Sequence, residues 1–411
     1  MDSAVSSADR LILRDLAKKQ MAYAQSEANQ KTVQLWFRHN ACKGERPPIH
    51  LELWTFQDEI IPKRLRCEGE SARLAEAALY KNFLNHELFN DDFPVPDYFP
   101  LAEYVYRIPF GLEVKREHAA DSLGHRFERY IHDLEKDFDK LSESIIVHDP
   151  THAENEQSFY DSIFGDILPA RIIQNALYSA PTQDIVHIMS METMYIAMLD
   201  CPVLFHEMMK KYTADNLRYF RYLESEKLLK PTTGGEPLGQ GSWCFNHELP
   251  DTAEKTTGLW GFMDSQETSS ISPSMFEELI FPYYREIAAN FGLLSYGCCE
   301  AVHGIWDKCL SKLGNLKKVS ISPWCDMNYM AERLRGKNII FHRKPSPNYL
   351  GVDKTLDEDA FRTHISETLQ AAKGCFLEIT QRDVYSINHD ENKAKRYVEI
   401  IREEIENNWQ P

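Results

Sequence analysis

The chain is predicted to be an α/β protein whose parallel strands close into a (β/α)8 barrel behind an N-terminal helical extension, and three observations carry that expectation. After Pro169, short apolar runs alternate with amphipathic stretches of helical length, the mark of repeated strand–helix units. These runs end in clusters of acidic, basic and ligand-type side chains, and the carboxyl ends of strands are where a TIM barrel builds its chemistry. The glycines of TTGGEPLGQG (232–241) fit neither GxGxxG nor GxxxxGK[ST] spacing, which disfavours an open nucleotide-binding sheet.

Residues 8–40 place Leu11, Leu13, Leu16, Met21, Val33, Leu35 and Trp36 between charged positions, the pattern of one or two amphipathic helices. Gly44 ends them, so residues 1–45 form the extension and 46–411 the barrel. Pro47-Pro48 precedes IHLELW (49–54), the expected first strand. Residues 94–113 read as extended and aromatic-rich, and 114–145 as a charged excursion from the barrel. ARIIQNAL (170–177) is a strand; 184–199 and 201–229 are helical; LGQGSWCF (238–245) and GLWGFMDSQ (258–266) are strands. Ser272-Pro273 supplies a cap and a first-turn proline for a helix that runs to Gly292. The runs LLSYGCC, KKVSISP (317–323), NIIFHRKP (338–345) and CFLEIT (375–380) follow as strands, separated by helices that include Asp357 to Lys373 before Gly374. A long helix over 390–408 finishes the chain.

With 411 residues, 43% of them hydrophobic, the chain has ample material for a large core. A net charge of −17 argues against nucleic-acid binding and against an anionic membrane surface. No run approaches the roughly 18 apolar residues of a membrane span, and no charged-then-apolar leader begins the sequence. Nine scattered cysteines show no disulfide spacing, so a cytoplasmic, thiol-reduced protein is expected.

The most informative segment is LLSYGCCEAVHG (293–304), where an apolar run empties into Cys298, Cys299, Glu300 and His303. Soft and hard ligands so close together at a strand end predict a zinc site. Because strand side chains alternate, one cysteine is expected to face the barrel mouth and the other the helices. The remaining strand ends present Glu52, Trp54, Asp58 and Glu59; Asp264, Gln266 and Glu267; Trp324, Cys325 and Asp326; His342, Arg343 and Lys344; Arg382 and Asp383. Each has a plainer reading: the cysteines as small core residues, Asp326 as a helix cap, Arg382 and Asp383 as an ion pair.

These segments together resemble the uroporphyrinogen decarboxylase superfamily, and in particular its corrinoid-dependent methyltransferase branch. The resemblance runs through most of residues 160–405, on TQDIVHIMSMETMYIAMLDCPVLFHEMMKKY, GFMDSQETSSISPSMFEELIFPYYREIA, LLSYGCCE, VSISPWCD and HRKPSPN. It implies a (β/α)8 barrel and often a homodimer. Decarboxylases of the superfamily carry an arginine-rich motif after the first strand, where this chain reads LELWTFQDEII, acidic and aromatic. The methyltransferases bind zinc through His-x-Cys and a later Cys. Here Tyr296 stands at the histidine, Cys298 at the cysteine, and the later position falls near Cys375 or Asp383. The resemblance thus implies a zinc held by Cys298, with Glu300, Glu267, His342 or Asp383 as replacement ligands.

The function expected is transfer of a methyl group from a small methylated substrate, such as a methoxylated aromatic, to the reduced cobalt of a separate corrinoid carrier protein. Trp54, Tyr296, Trp324 and Gln266 are the expected substrate-binding residues, and Glu52, Asp383 and Arg343 the expected catalytic ones. A decarboxylase using Asp383, Arg343 and Arg382, or a non-catalytic corrinoid or tetrapyrrole binder, is the alternative.

Overall fold

A computed structural model describes residues 5–118 and 125–409. Nine short strands belong to parallel pairings: β1 (Ile49–Leu51), β2 (Phe99–Ala102), β3 (Ala170–Ile173), β4 (Leu177–Tyr178), β5 (Trp260–Met263), β6 (Leu293–Tyr296), β7 (Leu316–Ile321), β8 (Ile340–Arg343) and β9 (Phe376–Gln381). Seven form one curled sheet in the order β1-β9-β8-β7-β6-β5-β4, and every neighbouring pair is parallel. Their apolar composition follows from burial on both faces: β5, β6, β7 and β8 are buried at every position.

The expectation of a closed barrel is corrected here. β1 and β4 are the two edges of the sheet and do not pair, while β2 and β3 form a separate two-stranded ladder. The physical reason lies in 237–243, read from the sequence as a barrel strand but folded as a small antiparallel hairpin, Pro237–Gly239 against Ser242–Trp243. Its tip sits inside the curl. A Cβ on Gly241 would lie 2.4 Å from Cγ2 of Thr380 on β9 and 3.2 Å from Cδ2 of His50 on β1, and one on Gly239 would lie 3.0 Å from the Phe262 ring on β5. Gly239, Gln240 and Gly241 all have positive φ, so two glycines make the tight reversal possible.

The inward side chains of the central strands form a buried polar layer. Ser320, His342 and Glu378 are in register across β7, β8 and β9. Glu378 accepts from Lys318 on β7, and Lys318 also donates to Ser242 of the hairpin. His39 reaches the same carboxylate at 3.2 Å from below. It comes from the second of two N-terminal helices, α1 (Ser7–Ala24) and α2 (Glu27–Asn40), each capped by a serine side chain. Asn40 donates to the carbonyls of Trp243 and Phe245, and Trp36 packs edge-on to Trp243 at 4.9 Å. The end of α2 therefore closes the amino-terminal end of the barrel around the hairpin.

Other elements follow local rules. The helix of Pro273–Met275 and Phe281–Ala288 contains a π turn at Phe276–Ile280, just before Pro282, whose missing N–H cannot continue an α ladder. Asp357 caps α3 (Glu358–Ala371) and Asp390 caps α4 (Glu391–Asn408). The charged excursion is flanked by an antiparallel ladder, Val105–Ile108 with Ile145–His148, and contains another, Arg116–His118 with His125–Phe127; its residues 119–124 lie outside the described residues. No helix is long and apolar enough to cross a membrane among the described residues.

Candidate active site

β6 ends at Tyr296, and Gly297, at φ +103°, turns the chain sharply out of the strand. Ser320 lies 3.1 Å from where a Cβ on Gly297 would stand, so the turn is also a close approach. Beyond it, strand alternation no longer applies. The sequence expectation that Cys298 and Cys299 face opposite ways is therefore corrected: their sulfurs lie 3.6 Å apart and both line one cavity. That cavity, about 810 Å³, opens at the carboxyl ends of the strands. Trp54, Tyr178, Phe262, Trp324 and Tyr385 give it aromatic walls, and Asp264, Gln266, Gln240, Lys344, Arg382 and Asp383 give it polar ones.

The two thiols act as a pair. The hydrogen bond from Cys298, together with burial, pushes Cys298 above the ordinary thiol value, and the same bond holds Cys299 below it. Cys299 also donates toward Asp383 Oδ2 at 3.8 Å on its outer side. Lys344, buried, donates to the Cys298 carbonyl at 3.1 Å and to the side-chain oxygen of Gln240. Arg382 donates to the same Gln240 oxygen and, at 2.9 Å, to Glu52. Gln240, at the hairpin tip, thus gathers both cations.

Asp264 occupies the inner wall. Burial, then Glu300, Cys298 and Glu267 nearby, pushes its carboxyl well above the ordinary value. The Tyr178 hydroxyl donates toward two oxygens, Gln183 Oε1 at 2.6 Å and Asp264 Oδ2 at 3.1 Å. Asp264 Oδ1 is buried and has no partner.

The sequence-predicted residues divide. Cys298, Trp54, Trp324, Gln266 and Asp383 do meet at the cavity, and Glu52 reaches its edge through Arg382. Four do not. Glu300 turns inward and accepts from the backbone N–H groups of Ser265 (2.9 Å) and Cys298 (2.7 Å), so it shapes the loop. Glu267 accepts from Thr182 at 2.9 Å, and His342 bonds Thr380 at 2.8 Å within the barrel interior. Tyr296 is fully buried, with its hydroxyl 2.6 Å from Ser265. Arg343 points away from the mouth as well, donating to the carbonyls of Ile321 and Ser322. On β8 His342 faces inward, so Arg343 must face outward and Lys344, one residue on, returns to the mouth. Cys375 is buried, with its sulfur 3.5 Å from the Ala331 carbonyl.

This arrangement does not assemble a zinc donor set. Among the described residues, no three His, Cys, Asp or Glu side chains converge so as to hold a metal ion. The carboxylates of Glu300 and Glu267 and the ring of His342 are engaged elsewhere, which leaves only the thiol pair and Asp383. Sequence reasoning placed Asp264, Lys344 and Arg382 at strand ends without assigning them to the methyl-transfer site, and it overlooked Gln240 and Tyr178. Gln240 carried one usable signal, the GQG spacing of a tight reversal.

No family model matches the chain, and no curated protein sequence matches it. Among solved structures, a methyltransferase from Methanosarcina mazei superposes with a TM-score of 0.53 at 12% identity, covering 90% of this chain and 98% of its own. The likeness is one of fold, and it extends over nearly the whole of both chains.

Proposed function

We propose that the chain is a methyltransferase of the uroporphyrinogen decarboxylase-like type, which takes a methyl group from a small methylated substrate. The observation that carries this reading is the mouth cavity, where a buried carboxyl pushed above its ordinary value, with one oxygen unpartnered, lies near a thiol pair between aromatic walls. The Methanosarcina mazei methyltransferase of the same overall fold supports it. The reduced corrinoid of a separate carrier protein would supply the nucleophile that receives the methyl group. The chain's own residues then have two tasks, to hold the donor in line and to protonate the atom it leaves behind.

Asp264 is suited to the second task. Methyl ethers have poor leaving groups, and an acid kept neutral by burial can deliver its proton as the C–O bond breaks. Tyr178, hydrogen-bonded to it, fixes its orientation. Trp54 and Phe262 offer flat apolar surface to an aromatic donor. A polycarboxylate substrate fits less well: Arg382 is already bound to Glu52 and Gln240, and Lys344 to Gln240 and a carbonyl.

The test is a screen of methoxylated aromatics, methylamines and methyl thioethers as donors to chemically reduced cobalamin, with uroporphyrinogen decarboxylation run in parallel. Methyl transfer from at least one ether, with no decarboxylation, is the expected result. Decarboxylation without transfer from any donor overturns the reading.

A further inference from the structure

A second cavity lies beside the first, in the gap the sheet leaves open. It measures about 470 Å³, within the range of roughly 300–1,000 Å³ typical of small-molecule sites. β1 forms one side and β2 and β3 the other, and the hairpin tip separates it from the mouth; Trp54 and Gln240 line both spaces. Its walls are largely apolar, with Leu53, Phe93, Tyr98, Leu101 and Trp243 among them.

One polar group in this chamber is held in place and left open. His50 is 5% exposed and lines the cavity. Its Nδ1 lies 2.9 Å from Asp91 Oδ2, and that same oxygen accepts from the Leu51 N–H at 2.9 Å and from Asn85 at 2.8 Å. A carboxylate with so many donors is an acceptor only, so Nδ1 carries the imidazole proton and the Nε2 lone pair is free. Nε2 has no hydrogen-bond partner among the described residues. The ring is fixed from the side as well, T-shaped against Trp243 at 4.6 Å. An oriented acceptor in an aromatic chamber selects a ligand that is itself flat and apolar with one O–H donor.

We propose that this lateral chamber binds a small phenol, whose hydroxyl donates to Nε2 of His50 while its ring packs against Trp243, Phe93 and Tyr98. The chamber stands on its own geometry. It is a binding site apart from the mouth, separated from it by the hairpin tip, and it goes beyond the methyl-transfer reading without resting on it.

Calorimetric titration of the full chain with 2-methoxyphenol and with 1,2-dimethoxybenzene, in the absence of any corrinoid, tests the chamber. The expected result is one site per chain with 2-methoxyphenol about tenfold tighter, the worth of one hydrogen bond. His50→Phe, which removes the acceptor and keeps a flat ring, should erase that preference. Ala102→Trp, at an exposed position of the chamber wall, should abolish binding of both without touching His50. No binding of 2-methoxyphenol, equal affinity for the two probes, or binding undiminished in Ala102→Trp overturns the proposal. The two readings separate cleanly. Phenol binding without transfer from any donor keeps the chamber and refutes methyl transfer, whereas methyl transfer without phenol binding does the reverse.

Discussion

Asp264 shows how one side chain acquires a role from its surroundings. Two acidic neighbours, a thiol and burial keep its proton in place, so activity should be full while the carboxyl is protonated and fall as pH rises through its elevated pKa. Asp264→Asn should lower kcat on a methyl ether by about 100-fold, remove that alkaline limb, and cost far less with a donor whose leaving group departs neutral, such as a quaternary ammonium. Equal losses on both donors would show that Asp264 acts only on structure. The interior histidines make a stability prediction of known sign. Burial lowers His39, and lowers His342 to about 3, against an unfolded value near ~6.5. The unfolded chain therefore binds protons that the folded chain does not, so their contribution is complete above pH ~6.5 and is lost as pH falls toward the folded values. Through His342 alone, denaturant titrations from pH 6 to 4 should lose up to about 1.4 kcal/mol per pH unit, one proton's worth, and His342→Asn should remove that part of the slope. The roles of these residues were only partly legible in the sequence. Glu300 and Asp264 are both acids after an apolar run, and nothing local says that one meets two backbone N–H groups while the other meets none. Arg343 and Lys344 differ by the parity of β8, which is set by where the strand starts and not by their chemistry.

At the scale of elements, the hairpin at 237–243 decides the character of the barrel. It occupies the interior, takes a hydrogen bond from Lys318 and presents Gln240 to both buried cations of the mouth. Gly241→Ala would require a Cβ at φ +76° and 2.4 Å from Thr380. The expected cost is about 1–3 kcal/mol in denaturant stability, with activity reduced beyond what unfolding explains because Lys344 and Arg382 lose their common acceptor. Wild-type stability and turnover in this variant would show that the tip does not organise the mouth. The parallel strands themselves were readable because each is a short apolar run with its own turn signal: four of the seven strands of the curled sheet fall within the stretches expected, Leu316–Ile321 and Phe376–Gln381 overrun theirs by one residue, and Leu177–Tyr178 straddles the end of one. LGQGSWCF misled because an interior hairpin and a barrel strand are equally apolar; only the paired glycines mark the reversal. The role of α2 was hidden as well, since its amphipathic pattern does not disclose that His39 and Asn40 seal the barrel floor.

For the whole molecule, the question is how a methyl acceptor carried by another protein would reach the cavity. The chain has a net charge of −17, so its long-range field would not draw an acidic partner in. Around the mouth, however, four large aromatic residues stand out into solvent: Trp324 is 73% exposed, Trp54 53%, Tyr385 53% and Tyr178 49%. Exposed aromatics of this size at a cavity rim mark a contact surface, and their burial would supply association energy that electrostatics does not. The carrier is therefore expected to bind through this rim, with an affinity that holds or improves as salt is raised, because added ions screen repulsion and leave apolar contact in place. Trp324→Ala should raise KM for the carrier protein about tenfold while leaving kcat with saturating free cobalamin within twofold, since a small free acceptor needs no docking surface. Carrier binding that weakens steeply with salt, or a Trp324→Ala defect of the same size with free cobalamin, would place the docking surface elsewhere and make Trp324 a substrate contact.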